Sequence, residues 1–251
     1  MVRHIHSRRT CVGTIATRGA DTLGLVKDPT RIPAVLAELQ ETWEAQPDLE
    51  LTTLLDTLAQ HGAGWGASDD DFVAATKALR RDRPLRLTEP PQVPHRVDTA
   101  ESRITLAGRL VIVRSQTRPT VWELGDIGAV QVARPLVLLD VHGNRHRLGV
   151  VESITRLARA QRSVADISGT QRSRISDRVY ILDLEDGRRV ELGRRLIVWE
   201  QQRRTTSSEE LVWDRLLRCA EGEPLRVRLR RGTDAEYAAV ERILVADWPA
   251  P

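Results

Sequence analysis

The residues with the most chemical potential in this chain are one carboxylate and two imidazoles, Asp140, His142 and His146. On a strand Asp140 and His142 share a face, and a hairpin turning at Gly143–Asn144 would fold His146 back beside them. Such a set would suit a transition metal and, with it, a metal-dependent hydrolase. No second pair of ligands accompanies it, so the competing reading is a solvent-facing turn with polar decoration. His4 and His6 repeat the spacing inside an N-terminal arm. Asp69, Asp70 and Asp71 would suit a hard cation, but they stand where a helix start needs caps and negative charge. Gly62, Gly64 and Gly66 lack the preceding strand, following helix and lysine of a phosphate loop. Asp183, Glu185 and Asp186 near Arg188 suggest either a nuclease-like strand or the charged surface of a hairpin. The sequence contains no Gly-x-Ser-x-Gly, His-Glu-x-x-His or Cys-x-x-Cys. It therefore designates no catalytic or cofactor-binding residue, and no cofactor is expected.

A second group is basic. Arg156, Arg159 and Arg162, continued by Arg172, Arg174 and Arg178, would make a phosphate-contacting stripe for nucleic acid if the first three share a helix. Aromatic side chains for stacking on bases are scarce: one Phe, two Tyr and six Trp. A solvated helical face accounts for the same arginines.

Composition bounds the elements that must position these groups. With 251 residues, 41% of them hydrophobic, the chain can bury a real core in two or three modest domains. It has no apolar run of membrane-spanning length, so no membrane partner is expected. Residues 10–20 carry no sustained apolar stretch of the kind a secretory signal needs. Cys11 and Cys219 are the only cysteines, which points to a reducing compartment and a cytoplasmic location. Only Lys27 and Lys77 among the 38 basic residues are lysine, a usage that GC-rich coding explains without selection for phosphate contacts. Charge is segmented. Residues 1–27 carry five basic and one acidic side chain; residues 28–83 carry five basic and eleven acidic, a net of −6; residues 84–165 carry twelve basic and seven acidic. The acidic segment would face either a partner or the basic remainder of its own chain.

Residues 28–83 give the clearest pattern. Asp28–Pro29 is a helix-start signal, and Ile32, Val35, Leu36, Leu39 and Trp43 follow at helical spacing. Pro47 ends that helix, Asp48 would cap the next, and Leu51, Leu54, Leu55 and Leu58 form its stripe. Ser68 and Asp71 read as a capping box before a third helix with Phe72, Val73, Thr76 and Leu79. Three such helices predict a small closed bundle around Trp43. Arg31–Ile32, Trp43, Pro47–Asp48–Leu49, Leu51, Leu55 and the acidic Asp69–Asp71 turn together resemble the YihD-like family of small bacterial proteins. The resemblance covers about a fifth of the chain and rests on core and capping residues. It implies a helical fold and brings no catalytic residue with it.

Pro84, Pro90, Pro91 and Pro94 predict an extended linker over 84–99. Strands are then expected at Ile104–Leu106, Leu110–Val113, Val121–Leu124, Ala129–Val132, Leu136–Val141 and Arg145–Leu148. A helix is expected from Ile154 through Leu157, Ala158 and Gln161 to Ala165, closing a first unit over 100–166, for which a barrel capped by a helix fits the element order. In the second unit, 167–251, strands are expected at Val179–Leu184, Arg189–Leu192, Leu196–Trp199 and Leu225–Leu229. Ser207 with Glu210 would open a helix carrying Trp213, Leu216, Leu217 and Ala220, and Ala239–Val245 fits helix or strand. Residues 138–149 and 181–193 echo each other as hairpins, which convergence explains as well as duplication.

The expected fold class is α+β: a three-helix module, a proline-rich linker, then a strand-rich region of sheet plus helix in one or two units. The leading functional expectation is a non-enzymatic binding or adaptor protein working through protein–protein contacts. Nucleic-acid binding through 156–178 is the alternative, and the metal-dependent hydrolase a third.

Overall fold

The computed structural model describes residues 28–158, 163–202 and 205–248. The arm with His4, His6 and Cys11 lies outside the described residues, as do Arg159 and Arg162.

The helical module is present. Its helices are α1 (Arg31–Glu44), α2 (Leu51–Leu58) and α3 (Asp69–Asp82), with a π-helical turn over Ala59–Ala63 after α2. The capping box forms: Asp71 donates its N–H to Ser68 Oγ and Ser68 donates its own to Asp71 Oδ2. The other two start signals act differently. Asp28 accepts from Thr30 and shapes the approach, but α1 begins only at Arg31, and no side chain caps α2. Nor is Trp43 the centre of the bundle. Leu54, Leu58, Ala75 and Leu79 are the buried core, and Trp43 packs at its margin, its indole N–H donating to Leu49 O across the α1–α2 connection.

The proline-rich segment is not a free linker. It holds β1 (Arg86–Leu87) and β2 (His95–Thr99). Prolines lack a donor but keep their carbonyls, and Pro91 O and Pro94 O accept from Gly108 and Leu157. The alternating burial of His95–Thr99 suits a strand with one face inward. The strands that follow are β3 (Arg103–Ala107), β4 (Leu110–Arg114), β5 (Thr120–Asp126), β6 (Val130–Gln131), β7 (Pro135–Asp140) and β8 (Arg145–Arg156). Five of them join β2 to close an antiparallel barrel in the order β2-β3-β4-β5-β7-β8, while β1 and β6 pair at its margin. Val97, Ile104, Leu106, Val111, Leu124, Leu138 and Ile154 fill the barrel.

Gly125 sits where β5 and β7 slip register, and a Cβ there would lie 2.4 Å from Asp140 O. The obstacle is backbone, which cannot rotate away. Gly125→Ala is expected to cost about 1–3 kcal/mol of stability and so to lower the urea midpoint; an unchanged midpoint would show that the bulge is soft.

The expected helix 154–165 does not begin at Ile154, because β8 runs to Arg156. The helix expected from Ser207 is also absent: β12 (Thr206–Leu211) and β13 (Trp213–Arg218) occupy that segment. With β9 (Val179–Leu184), β10 (Arg189–Leu192), β11 (Leu196–Gln201), β14 (Pro224–Leu229) and β15 (Asp234–Asp247) they form a curled seven-stranded sheet in the order β12-β11-β10-β9-β15-β14-β13. Residues 239–245, open between two readings in sequence, lie in β15. Val164 and Ile167 pack on this second core, so the chain enters the second unit before residue 167.

The two β units meet face to face. The outward side chains of β4 and β5 (Leu110, Ile112, Val121) pack on Val179, Ile181, Leu244 and Ala246 of β9 and β15. Strands covered on both faces need continuous apolar runs, as Leu110–Val113 and Tyr180–Leu182 provide. Polar ties flank this contact. Asp247 accepts from Arg114 at 2.8 Å and Arg96 at 3.3 Å. Asp183 accepts from Arg189 and Arg242 at 2.5 Å each, and Arg189 also reaches Pro119 O. Burial works against the Asp183 charge, but the two arginines outweigh it and hold its pKa below the ordinary value.

Candidate functional site

The structure brings Asp140 and His146 together but builds a turn around them. Asp140 Oδ1 accepts from the N–H groups of His142 and Asn144, each at 2.9 Å. Its Oδ2 accepts from the Asn144 amide, with His146 Nε2 at 3.1 Å. The Asn144 amide above all holds the carboxyl far below its usual range, against partial desolvation, with the His146 ring and backbone donors adding to the effect. His142 enters through its backbone, and the His146 ring stacks on Trp122 at 4.2 Å. Among the described residues no group of three or more His, Cys, Asp or Glu side chains is arranged to hold a metal. Asp71 is a cap and Asp69 pairs with Arg31. Burial, with the Asp166 charge adding to it, pushes the Cys219 thiol up to about 12, far from a reactive thiolate.

Of the predicted arginine stripe, Arg156, Arg172, Arg174 and Arg178 are described, and they do not share a helix. Arg156 ends a strand and faces Asp82 of the helical module at 3.6 Å. Arg172 donates to Arg194 O, and Arg174 lies exposed on the same short helical turn. Arg178 lines a cleft, its guanidinium 4.3 Å above the Trp248 ring.

That cleft, about 590 Å³, lies where the module, the barrel and the curled sheet converge. It gathers Arg83 from the end of the module, Arg96 and Arg103 from the barrel, and Arg178, Arg194 and Arg195 from the second sheet, against Asp177, Glu191 and Asp247. No local pattern could have grouped arginines more than a hundred residues apart. A neighbouring hollow of about 580 Å³ has the opposite balance, with Asp48, Asp98, Glu101, Glu152 and Glu191 against Arg103 and Arg114.

The helical module carries a different kind of surface. Its apolar stripes are wider than its small core. Leu36 is 56% exposed and Leu55 41%, and Ile32 and Leu51 extend the same faces one turn along each helix. Val35, Leu36, Leu39, Leu55, Ala63 and Phe72 line a groove of about 320 Å³ between α1, α2 and the start of α3. Past Val35, Ser68 and Asp69 the groove continues into a hollow of about 420 Å³ rimmed by Glu38, Asp69 and Asp70. Trp65, wholly exposed, follows the Gly64 that lines the groove. In sequence these leucines read as closed core. The signal that they are not is their number: three short helices lack the facing surface to cover two full stripes.

Among the described residues no helix is long and apolar enough to cross a membrane. Comparison of the chain with protein-family models, with curated proteins and with solved structures finds no match.

Proposed function

We propose that the protein is a non-enzymatic binding protein, an adaptor whose helical module docks a basic amphipathic helical segment of a partner protein. The observation that carries this reading is the open leucine groove on an acidic module. Leu36 and Leu55 stand in solvent on either side of an apolar channel, where an isolated domain would leave only scattered apolar residues. A helix laid into such a channel buries leucines at i, i+3, i+4 and i+7. The module's charge selects the partner's: at the hollow's rim Asp69 and Glu38 already pair with Arg31 and Arg80, Asp70 has no ion-pair partner among the described residues, and the segment carries a net of −6. We also propose that this module is a YihD-like unit. Leu51 and Leu55, two of the residues that carry the resemblance, lie on the open face rather than in the core, where they serve docking rather than packing.

A synthetic amphipathic helix of leucine and arginine is expected to bind with a Kd on the order of 10 µM. Its leucine–glutamate counterpart should not bind. Trp65 beside the groove reports binding by fluorescence, with Trp65→Phe as the blank. Leu36→Glu with Leu55→Glu, both at exposed positions, should leave the thermal midpoint nearly unchanged and weaken binding at least about thirtyfold. Equal binding of the two peptides, or binding indifferent to the double substitution, would defeat the proposal.

A further inference from the structure

We infer that the arginine-lined cleft at the junction of the three units is a binding site for a small phosphate-bearing anion of nucleotide size. This site is separate from the docking groove and stands or falls independently of it.

The charge is present and only partly committed. Of the six guanidiniums, Arg96 is fully engaged by Asp98 and Asp247, and Arg195 pairs with Glu210. Arg103 and Arg194 hold only stretched contacts, at 3.6 Å to Asp98 and 3.5 Å to Asp177. Arg83 and Arg178 have no carboxylate partner among the described residues. The cleft's own carboxylates are mostly occupied: Asp247 is shared by Arg96 and Arg114, and Glu191 lies 3.5 Å from Arg114. Guanidiniums gathered in a concave, partly desolvated space repel one another, and an anion with several oxygens relieves that repulsion while accepting planar paired donors.

A second, independent observation points to the same place. Thr155, 2% exposed, lines the cleft, and its Oγ1 has no hydrogen-bond partner. Arg178 Nε is likewise buried and unpartnered. Buried polar atoms are satisfied in the great majority of cases, so an orphaned hydroxyl and an orphaned guanidinium N–H in one cleft call for an acceptor. A phosphate oxygen supplies it. Thr155 pairs directly across from Arg96 in the barrel wall, which fixes both on one face toward the second sheet.

Size and surroundings narrow the ligand. A volume of about 590 Å³ falls within the range of small-molecule sites. The acidic hollow that meets the cleft at Arg103 and Glu191 would repel a polyanion that ran on past it, which favours a compact ligand over a nucleic-acid strand.

The test is isothermal titration of the full chain with inorganic pyrophosphate, with ATP and with a twelve-residue oligothymidylate. Pyrophosphate and ATP should both bind, and the oligonucleotide no more tightly than ATP. If pyrophosphate matches ATP, phosphate charge alone carries recognition; if ATP is tighter, the base contributes as well. Both outcomes support the site. Arg83→Glu with Arg178→Glu should weaken ATP binding at least about tenfold. Arg231→Glu, one such reversal on an exposed turn outside the cleft, should have little effect. Thr155→Val separates structure from ligand, because it removes only the orphaned hydroxyl. It should hold or raise the thermal midpoint yet weaken ATP binding severalfold. The inference is overturned if neither phosphate ligand binds, or if Arg231→Glu costs as much as the cleft pair. It is also overturned if the oligonucleotide binds about tenfold more tightly than ATP through Arg83 and Arg178, since the cleft would then be a nucleic-acid groove.

Discussion

Replacing Asp247 by alanine is expected to destabilise the protein by about 3–5 kcal/mol, the range for breaking a buried ion pair by removing one partner. The carboxylate is 3% exposed at the end of β15. It accepts from Arg114 on β4, from Arg96 on β2 and from the N–H of Trp248. Arg114 is itself only 7% exposed, so its charge would be left in the seam with Glu191 at 3.5 Å as its sole counter-ion. Burial disfavours the charged form of Arg96, and Asp247 with Asp98 outweighs it and raises its pKa. Chemical denaturation of Asp247→Ala beside Arg114→Met and the double variant checks this. The double variant should recover part of the loss, because no uncompensated guanidinium remains. Each β unit also keeps its own core, so a weakened seam should make the transition broader or biphasic.

Trp213→Ala should be comparably severe, about 3–5 kcal/mol. Trp213 is the largest wholly buried side chain, and its indole N–H donates to Gly193 O at 2.9 Å. The position matters more than the size. β13 ends the sheet on one side, while Gly193 lies in the connection between β10 and β11, near the other side. The indole thus links the two ends of the curl and fixes its closure. Trp213→Phe keeps most of the apolar volume and leaves the Gly193 carbonyl without that donor, so a smaller loss of about 1–3 kcal/mol is expected. Equal losses for alanine and phenylalanine would show that the hydrogen bond, rather than the packing, carries the closure.

The contrast between legible and illegible elements has one physical cause. Regular hairpins such as β9–β10 were evident because Asp183↔Arg189 and Leu182↔Val190 pair without a slip across Gly187. Bulged strands imitate helices. In β13, register shifts fall between Trp213 and Arg215 and between Leu216 and Arg218. Each adds a residue, so the buried positions Trp213, Leu216 and Cys219 recur every three residues. β8 does the same. A register shift against β2 between Asp98 and Thr99 puts an extra residue between Val151 and Ile154, and Leu157, just past the strand's end, is buried three residues further on. A period of three reads as helix unless the partner strand is known. The proline segment resembles a linker for another reason: its prolines lack donors, yet their carbonyls still serve the barrel.

The candidate sites divide in the same way. Hairpin logic brings Asp140, His142 and His146 to one turn, but the Asn144 amide and the turn N–H groups that satisfy Asp140 follow from three-dimensional closure. Leu36 and Leu55 were visible as apolar stripes, and only the short helices of the finished module show that the stripes stay open. The arginine cleft had no sequence signature, because its walls come from three units.

The most direct test of the docking role is site-specific photo-crosslinking in the cells that make the protein, with a photoreactive residue at Leu55 and, as control, at Lys77, an exposed position on α3 that does not line the groove. The expected result is a discrete heteromeric product from position 55 and none from 77, with the crosslinked peptide mapping to a basic amphipathic segment of the partner. A product that maps to residues 1–27 of the same chain or to a second copy, or equal crosslinking from both positions, would contradict it.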